Sequence, residues 1–595
     1  MIKNLIQRYK FWFSSLLISL LLAATAFAQP VPEPAKGIRI MLDQRVTMRD
    51  GVELSADVFL PEKEGKYPVI LMRNPYNKSI RRAGIPYDFM TYFAQRGYVV
   101  VGQDVRGRGD SDGKFGFYHA EIEDGYDAVE WAAAQPWSNG KVAMMGLSYL
   151  GGVQWQAAKV VPPHLVCLVS TAAPGDFMDE IGYVGGAFMA WGNLIWIHSV
   201  SGRTWQDNVI LDLEKRGLFD WNKILEHRPL ITMDERAFGR QLPIYRDWLQ
   251  HPTMDEYWKA IRLGPVDFEK IKIPVLHVTG WFDGDQAGAM HYWNGMQAYS
   301  TARDKQYLVV GPWEHVGTFF GAPPFIGDMK FSPESMIDRL VLHLGFFDHY
   351  LKGSNTDFDN PKAKLYITGS NNWQEFDAYP PKETRKVKYY LHSEGNANTL
   401  DGDGLLDIKK PKNEPADHFT FDPKKPVPAF INDKLTGIDH SPIEKRNDVL
   451  VYSTSTLKDA ITVIGEVVVD LYASSDALDT DFTVKLLDVR TDGQAFRLGT
   501  LAGGIIRARY REGFGKEVLL RPGKVEKYII RVSHIGHTFL PGHKIRLEVS
   551  SSCSPMFTPN QNTGNPVATD IEWNIAHQKI WHNEMYPSAI VLPVH

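Results

Sequence analysis

The stretch Val142-Ala-Met-Met-Gly146-Leu147-Ser148-Tyr149-Leu150-Gly151-Gly152 decides the fold. Its apolar start, with no polar alternation, predicts a strand buried on both faces. The strand runs into a glycine, a serine and small residues, and then into the helix-like run Val153 to Val160. A serine in so tight a strand-to-helix turn needs small neighbours, and the turn lifts its hydroxyl clear of the sheet. The turn also leaves the serine at a helix N-terminus, where unpartnered backbone N–H groups can stabilise an oxyanion. The pattern departs from G-x-S-x-G, because Leu150 stands two residues after the serine and Gly151 three after. An ordinary glycine-rich turn looks much the same, so the reading needs partners elsewhere in the chain.

Working outward, Val69-Ile-Leu-Met72 and Tyr98-Val-Val-Val-Gly102 are further short apolar runs, and Asp124 to Ala134 reads as a helix ended by Gln135-Pro136. Strand, helix and strand in this order predict an α/β fold with a mostly parallel sheet. From about Pro174 to Pro265 strand runs are scarce and apolar residues fall at helical spacing, which predicts a helical insertion. Strand signals resume at Pro274-Val-Leu-His-Val-Thr279 and Tyr307-Leu-Val-Val310, and Met336 to Leu351 reads as an amphipathic helix. Beyond Pro361 the period changes to two: Val467, Val469 and Leu471 alternate with outward positions, as do Phe482, Val484, Leu486 and Ile545, Leu547, Val549. Asp492-Gly493, Pro522-Gly523 and Pro541-Gly542 punctuate these runs as turns, so the segment reads as a β-sandwich.

A serine hydroxyl needs a base in reach, and the base needs an acid to orient it. In this chain order the acid precedes the histidine, and both follow later strands. Asp283 in Gly280-Trp-Phe-Asp283-Gly284 and His315 in Gly311-Pro-Trp-Glu314-His315 each lie in the loop directly after a strand. Loops at the C-terminal ends of parallel strands are where open α/β sheets build their sites. Asp285 and Glu314 are the competing acids, and Glu314, adjoining the histidine, is expected to point elsewhere.

Composition bounds the rest. At 595 residues, 44% hydrophobic and 23% charged, the chain can build several cored domains. Lys3, Arg8 and Lys10, the apolar run Phe11 to Ala24 and Ala26-Phe27-Ala28 read as a secretory signal peptide over 1–28, leaving Gln29 as the new N-terminus. Export to a bacterial periplasm or the exterior follows as an expectation. The apolar run falls short of the roughly 20 residues that span a bilayer. Loss of three cations with the leader takes the formal charge from −5 to −8. That balance argues against nucleic acid and anionic membrane partners. Cys167 and Cys553 lack metal-ligand spacing and are expected to be buried free thiols. A homo-oligomer is compatible with this composition.

The three motifs around Ser148, Asp283 and His315, in order, resemble those of the α/β-hydrolase family of bacterial cocaine esterase, the α-amino-acid ester hydrolases, glutaryl-7-aminocephalosporanic acid acylase and the X-prolyl dipeptidyl-peptidases. Arg73-Asn74-Pro75-Tyr76 resembles the family's R-x-P-Y segment, and Asp104-Val-Arg106-Gly107-Arg-Gly109-Asp-Ser111-Asp-Gly113 its D-x-R-G-x-G-x-S-x-G loop. The resemblance implies an α/β-hydrolase sheet with a helical cap insertion and a C-terminal jelly-roll sandwich. The expected divisions are 29–173 and 266–360 for the hydrolase domain, 174–265 for the cap and 361–595 for the sandwich. It implies Ser148 as nucleophile, His315 as base and then acid, Asp283 as orienting acid, and the Tyr76 hydroxyl with the Tyr149 backbone N–H as oxyanion hole. The position of Tyr149 after the nucleophile supports its role independently. No metal or organic cofactor is required. The Asp104–Gly113 loop reads as structural, with Asp104 and Arg106 as a candidate pair.

The implied substrate is a small ester or amide. In α-amino-acid ester hydrolases a carboxylate cluster holds the substrate ammonium, from positions two and three after the triad Asp and from the start of the cap. Here these positions carry Asp285 and Gln286, with Asp179 and Glu180 at the cap, so Asp285 and Glu180 are the candidate ammonium ligands. An X-prolyl peptidase would use the same carboxylates for a free N-terminus. A more apolar site would draw on Trp155, Trp191 or Trp196 for an acyl pocket. A reading of another class is a non-catalytic export protein whose sandwich binds polysaccharide.

Overall fold

The computed structural model describes residues 36–79, 87–205, 218–353, 358, 361–429, 431, 436–500 and 503–595. The expected leader, 1–28, lies outside them. A ten-stranded sheet forms the first layer system: β1 Ile38–Thr47, β2 Glu53–Pro61, β3 Tyr67–Asn74, β4 Val99–Asp104, β5 Ser138–Leu147, β6 Leu165–Thr171, β7 Val275–Gly280, β8 Gln306–Gly311, β9 Ala363–Ile367 and β10 Asn372–Phe376. Their spatial order is β1-β2-β4-β3-β5-β6-β7-β8-β9-β10. From β4 to β9 every neighbouring pair is parallel, while β1, β2 and β10 pair antiparallel at the edges.

The continuous apolar runs become central strands because helices cover both faces. Val69 to Met72 are all buried, and each such side chain contributes about 1.5–3 kcal/mol relative to exposure. Helix α1, Glu121–Ala134, follows β4, and α2, Tyr149–Lys159, follows β5 directly. The insertion is helical as expected, with α3 Ala190–Ser199 and short helices at Pro243–Gln250, Glu256–Ile261 and Pro265–Lys270. A small hairpin, Tyr183–Val184 with Ala187–Phe188, precedes α3.

Two boundaries differ from the sequence reading. β9 and β10 lie beyond position 361 yet extend the hydrolase sheet, with β9 parallel to β8. An edge hairpin reads the same in either domain, because its neighbours are set by tertiary pairing. The helix expected from Met336 becomes helix α4 only at Arg339, running to Phe347. Asp338 accepts from the N–H groups of Leu340 and Val341 as an N-cap, which fixes that start.

The C-terminal part is β-rich, built around a twelve-stranded sheet. Its longest strands, β11 Ile461–Ser475 and β12 Glu526–Phe539, pair antiparallel. All the alternating residues named above are buried in one shared core. The two parts interlock near the site: Thr368 donates its N–H to Gly536 O, and a Cβ at Gly536 would meet the Trp281 ring at 2.6 Å. Cys167 and Cys553 are buried and unpaired. Among the described residues no helix is long and apolar enough to cross a membrane.

Candidate active site

Ser148 lies between β5 and α2 with φ 61° and ψ −126°. A positive φ on serine costs about 1–3 kcal/mol, so the surroundings must hold it. They do: Ser148 N–H donates to Thr171 O at 3.0 Å, and its carbonyl accepts from Gly151 N–H (2.7 Å) and Gly152 N–H (2.9 Å). The departure at Leu150 is explained by where space runs out. A Cβ on Gly151 would come 2.7 Å from Thr171 O, and one on Gly152 or Gly146 would collide with Tyr118 or Leu150.

Asp283 is fully buried. Its carboxylate accepts from Thr279 Oγ1 (2.8 Å), from the Asp285 N–H (3.0 Å) and from His315 Nδ1 (2.7 Å). With Nδ1 as donor to a carboxylate, Nε2 of His315 is the nitrogen left to accept a proton. Burial opposes the imidazolium, but Asp285 and Asp283 outweigh it and push His315 up to about 9. The ring is 32% exposed, so solvent screens part of that attraction. Glu314 points away, as expected, accepting from Thr436 Oγ1.

Asp285 stands closer to the chemistry than its sequence role suggested. Its Oδ2 is 3.7 Å from His315 Nε2, and its carboxyl interacts with the Ser148 hydroxyl. Burial and the Asp283 charge push Asp285 up to about 7 against the pull of His315 and Ser148. Ser148 makes no direct hydrogen bond to His315 among the described residues; catalytic contacts are often long before substrate binds. Glu180 is buried, with Oε2 accepting from Gly175 N–H (2.9 Å) and Asp176 N–H (3.1 Å) and Oε1 left unbonded. Burial, then repulsion from Asp285, raises the Glu180 carboxyl well above its ordinary range.

The Tyr76 hydroxyl also reaches this point. It interacts with Ser148 and accepts from Trp196 Nε1 at 3.2 Å. Burial pushes the phenol up to about 12, so it stays a neutral donor. Tyr149 begins α2, where the first N–H groups have no intrahelical acceptor. Its hydroxyl is anchored at 3.0 Å from Phe117 O and 3.1 Å from Glu121 Oε1. Glu121 is in turn held by Arg73 Nη1 at 2.5 Å.

The chain matches known proteins along most of its length. Residues 50–317 match the profile of X-Pro dipeptidyl-peptidase (S15 family), and 356–591 match X-Pro dipeptidyl-peptidase C-terminal non-catalytic domain. The cocaine esterase of Rhodococcus sp. (strain MB1 Bresler) is 33% identical over 580 residues, covering 92% of this chain and 97% of that one. This chain belongs to the S15 family. An α-amino acid ester hydrolase structure superposes with a TM-score of 0.82 at 26% identity, over 96% of this chain and 99% of its own. The structure of an aminopeptidase from a marine sediment archaeon, Thaumarchaeota archaeon, gives 0.80 at 25% identity, over 95% and 99%. As an S15 member the protein is a serine hydrolase, and the non-catalytic polysaccharide-binding reading is set aside.

Several expectations meet other surroundings in this S15 fold. Trp155 is fully buried, stacked on Tyr292 at 4.3 Å with its N–H on Ser170 Oγ at 2.8 Å. These contacts place it in the hydrophobic core. Trp191 packs beside the cluster of Ala187, Met556 and Phe557. Gln286 is held within the chain: Nε2 donates to Gly280 O (3.1 Å) and His534 O (3.0 Å), and Oε1 accepts from His534 N–H (2.9 Å), clasping the β-rich part. Asp179 pairs with Arg531 at 3.3 Å. The expected Asp104–Arg106 pair does not form. Arg106 bonds Asp124 and Asp50 instead, while Asp104 accepts from the Lys78 N–H at 2.6 Å and faces its Nζ at 3.6 Å. Sequence reasoning passed over Phe117 and Trp248, which enclose Trp196. Single aromatics carry no local signal that separates them from core.

Proposed function

We propose that the protein hydrolyses esters or amides of α-amino acids through an acyl-enzyme on Ser148. The observation that carries this reading is the 2.7 Å Asp283–His315 bond beside a serine held in a strained turn. Ser148 Oγ attacks the substrate carbonyl carbon while His315 Nε2 takes its proton. The tetrahedral oxyanion is held by the Tyr76 hydroxyl and the Tyr149 N–H. Collapse breaks the bond to the leaving alcohol or amine, which departs with the proton from His315. Water, deprotonated by His315, then attacks the acyl-enzyme, releasing the acid and restoring the serine.

Asp285 and the unbonded Glu180 Oε1 favour a free α-ammonium on the acyl part. A buried acceptor without a partner costs about 1–3 kcal/mol, a cost an ammonium would relieve. An ammonium on Asp285 also draws that carboxylate off Ser148, leaving the hydroxyl to His315. An X-prolyl dipeptidyl-peptidase activity is the second reading, favoured by the family match and served by the same carboxylates for a free N-terminus. The leader-like pattern of residues 1–28, a cationic start, an apolar run and Ala26-Phe27-Ala28, supports export to a periplasm or the exterior.

The test is hydrolysis of phenylglycine methyl ester, phenylacetic acid methyl ester and Gly-Pro anilide by one preparation. Preference for the phenylglycine ester is expected. Preference for the anilide would replace this reading with the peptidase, and preference for phenylacetate would remove the ammonium site.

A further inference from the structure

Trp196 stands on α3 in the cap, away from the loops that supply the acid and base. Its indole nevertheless bonds one proposed oxyanion donor, the Tyr76 hydroxyl, and stacks on the side chain of the residue that carries the other, Tyr149. The indole N–H donates to the Tyr76 hydroxyl oxygen at 3.2 Å, and the ring stacks over Tyr149, 6.1 Å between centroids and 25° between planes. Phe117 meets its edge at 5.7 Å and Trp248 stacks on it at 6.3 Å, so the indole is fixed by packing. Tyr76 is braced on another side by the Trp205 ring at 4.7 Å.

Donor and acceptor chemistry limits what this contact can be. An indole nitrogen only donates, whereas a phenol carries one proton and accepts through its oxygen. The oxygen of Tyr76 must therefore accept from Trp196, and its single proton is left for another acceptor. The group facing it there is Ser148. We infer that Trp196 is a positioning residue of the acyl-transfer reaction: its N–H fixes the rotation of the Tyr76 hydroxyl, so that the Tyr76 proton points at the oxyanion formed on Ser148. The inference rests on the triad and oxyanion hole proposed above. Without Trp196 the hydroxyl can turn toward the nearby Asp285 carboxylate, where it stabilises no transition state. Accepting one bond also strengthens the bond the hydroxyl donates. The cap thereby contributes to the chemical step as well as to enclosure.

A double-mutant cycle tests this. The variants are Trp196→Phe, Tyr76→Phe and both together, with kcat and KM measured on a p-nitrophenyl ester. Trp196→Phe is expected to lower kcat by about 3–10-fold, the equivalent of one net hydrogen bond, with little change in KM. In the Tyr76→Phe background the same change should leave kcat within about twofold, because the hydroxyl it acts through is gone. Replacing Trp196 by β-(3-benzothienyl)alanine keeps the bicyclic ring but has no N–H, and should lose as much kcat while melting with the wild type. Equal losses in both backgrounds, a loss confined to KM, or full activity of the benzothienyl protein would overturn the inference. Tyr76→Phe at wild-type kcat would instead overturn the oxyanion hole on which it rests.

Discussion

Asp283 and Asp285 are two residues apart on one loop, yet their surroundings divide them. Asp283 is fully buried and satisfied by three donors, one of them the His315 ring. Asp285 has no comparable set of donors, faces Ser148 and His315 Nε2, and is pushed up to about 7. Two identical side chains thus meet different neighbours: one bonds the imidazole at Nδ1, and the other, with fewer donors, is the one proposed to take a substrate ammonium. The Asp283 side of the site should serve every substrate, and the Asp285–Glu180 side only those with an ammonium.

The strongest way to break this comparison is Asp283→Asn. An amide at that position favours the wrong imidazole tautomer, and kcat should fall about 10⁴-fold on all esters alike. A smaller loss, or one restricted to amino esters, would merge the two roles. Next is Asp285→Asn. Loss of a charged hydrogen bond should lower kcat/KM for phenylglycine methyl ester by about 10–100-fold while sparing the phenylacetate ester. Equal losses on both esters would place Asp285 in the general machinery.

The same substitution sharpens the comparison through pH. His315, pushed up to about 9, is protonated below that pH and cannot take the Ser148 proton. Wild-type kcat/KM should therefore rise with pH toward a plateau. Asp285→Asn removes one of the two anions that hold the imidazolium, so the acid limb should move to lower pH by about 1–2. A limb that stays in place would show that Asp285 does not face the ring. The smallest effect is expected at Trp155→Phe. It should lower stability by about 1–3 kcal/mol in thermal or denaturant unfolding and leave the ratio of the two esters unchanged. A changed ratio would return Trp155 to the acyl pocket.

These expectations show which features are local in sequence. The central strands were legible because runs such as Val69 to Met72 allow little but burial on both faces. The placement of Ser148, Asp283 and His315 followed from strand ends, which fix where loops converge. What escaped depends on distant partners. β9 and β10 carry no mark of which sheet they join. Gln286 reads as a lost carboxylate until its bonds to His534 are seen, and Asp104 meets Lys78 where Arg106 was expected. Trp155 and Trp196 are equivalent in sequence; only packing makes one a core ring and the other a neighbour of Tyr76.

The most direct measurement is fluorophosphonate labelling followed by peptide mass spectrometry, on the wild type and on His315→Ala. The wild type should be labelled stoichiometrically on the peptide carrying Ser148, and His315→Ala should react far more slowly. Label on another residue, or an undiminished labelling rate without the imidazole, would contradict proton transfer from Ser148 to His315.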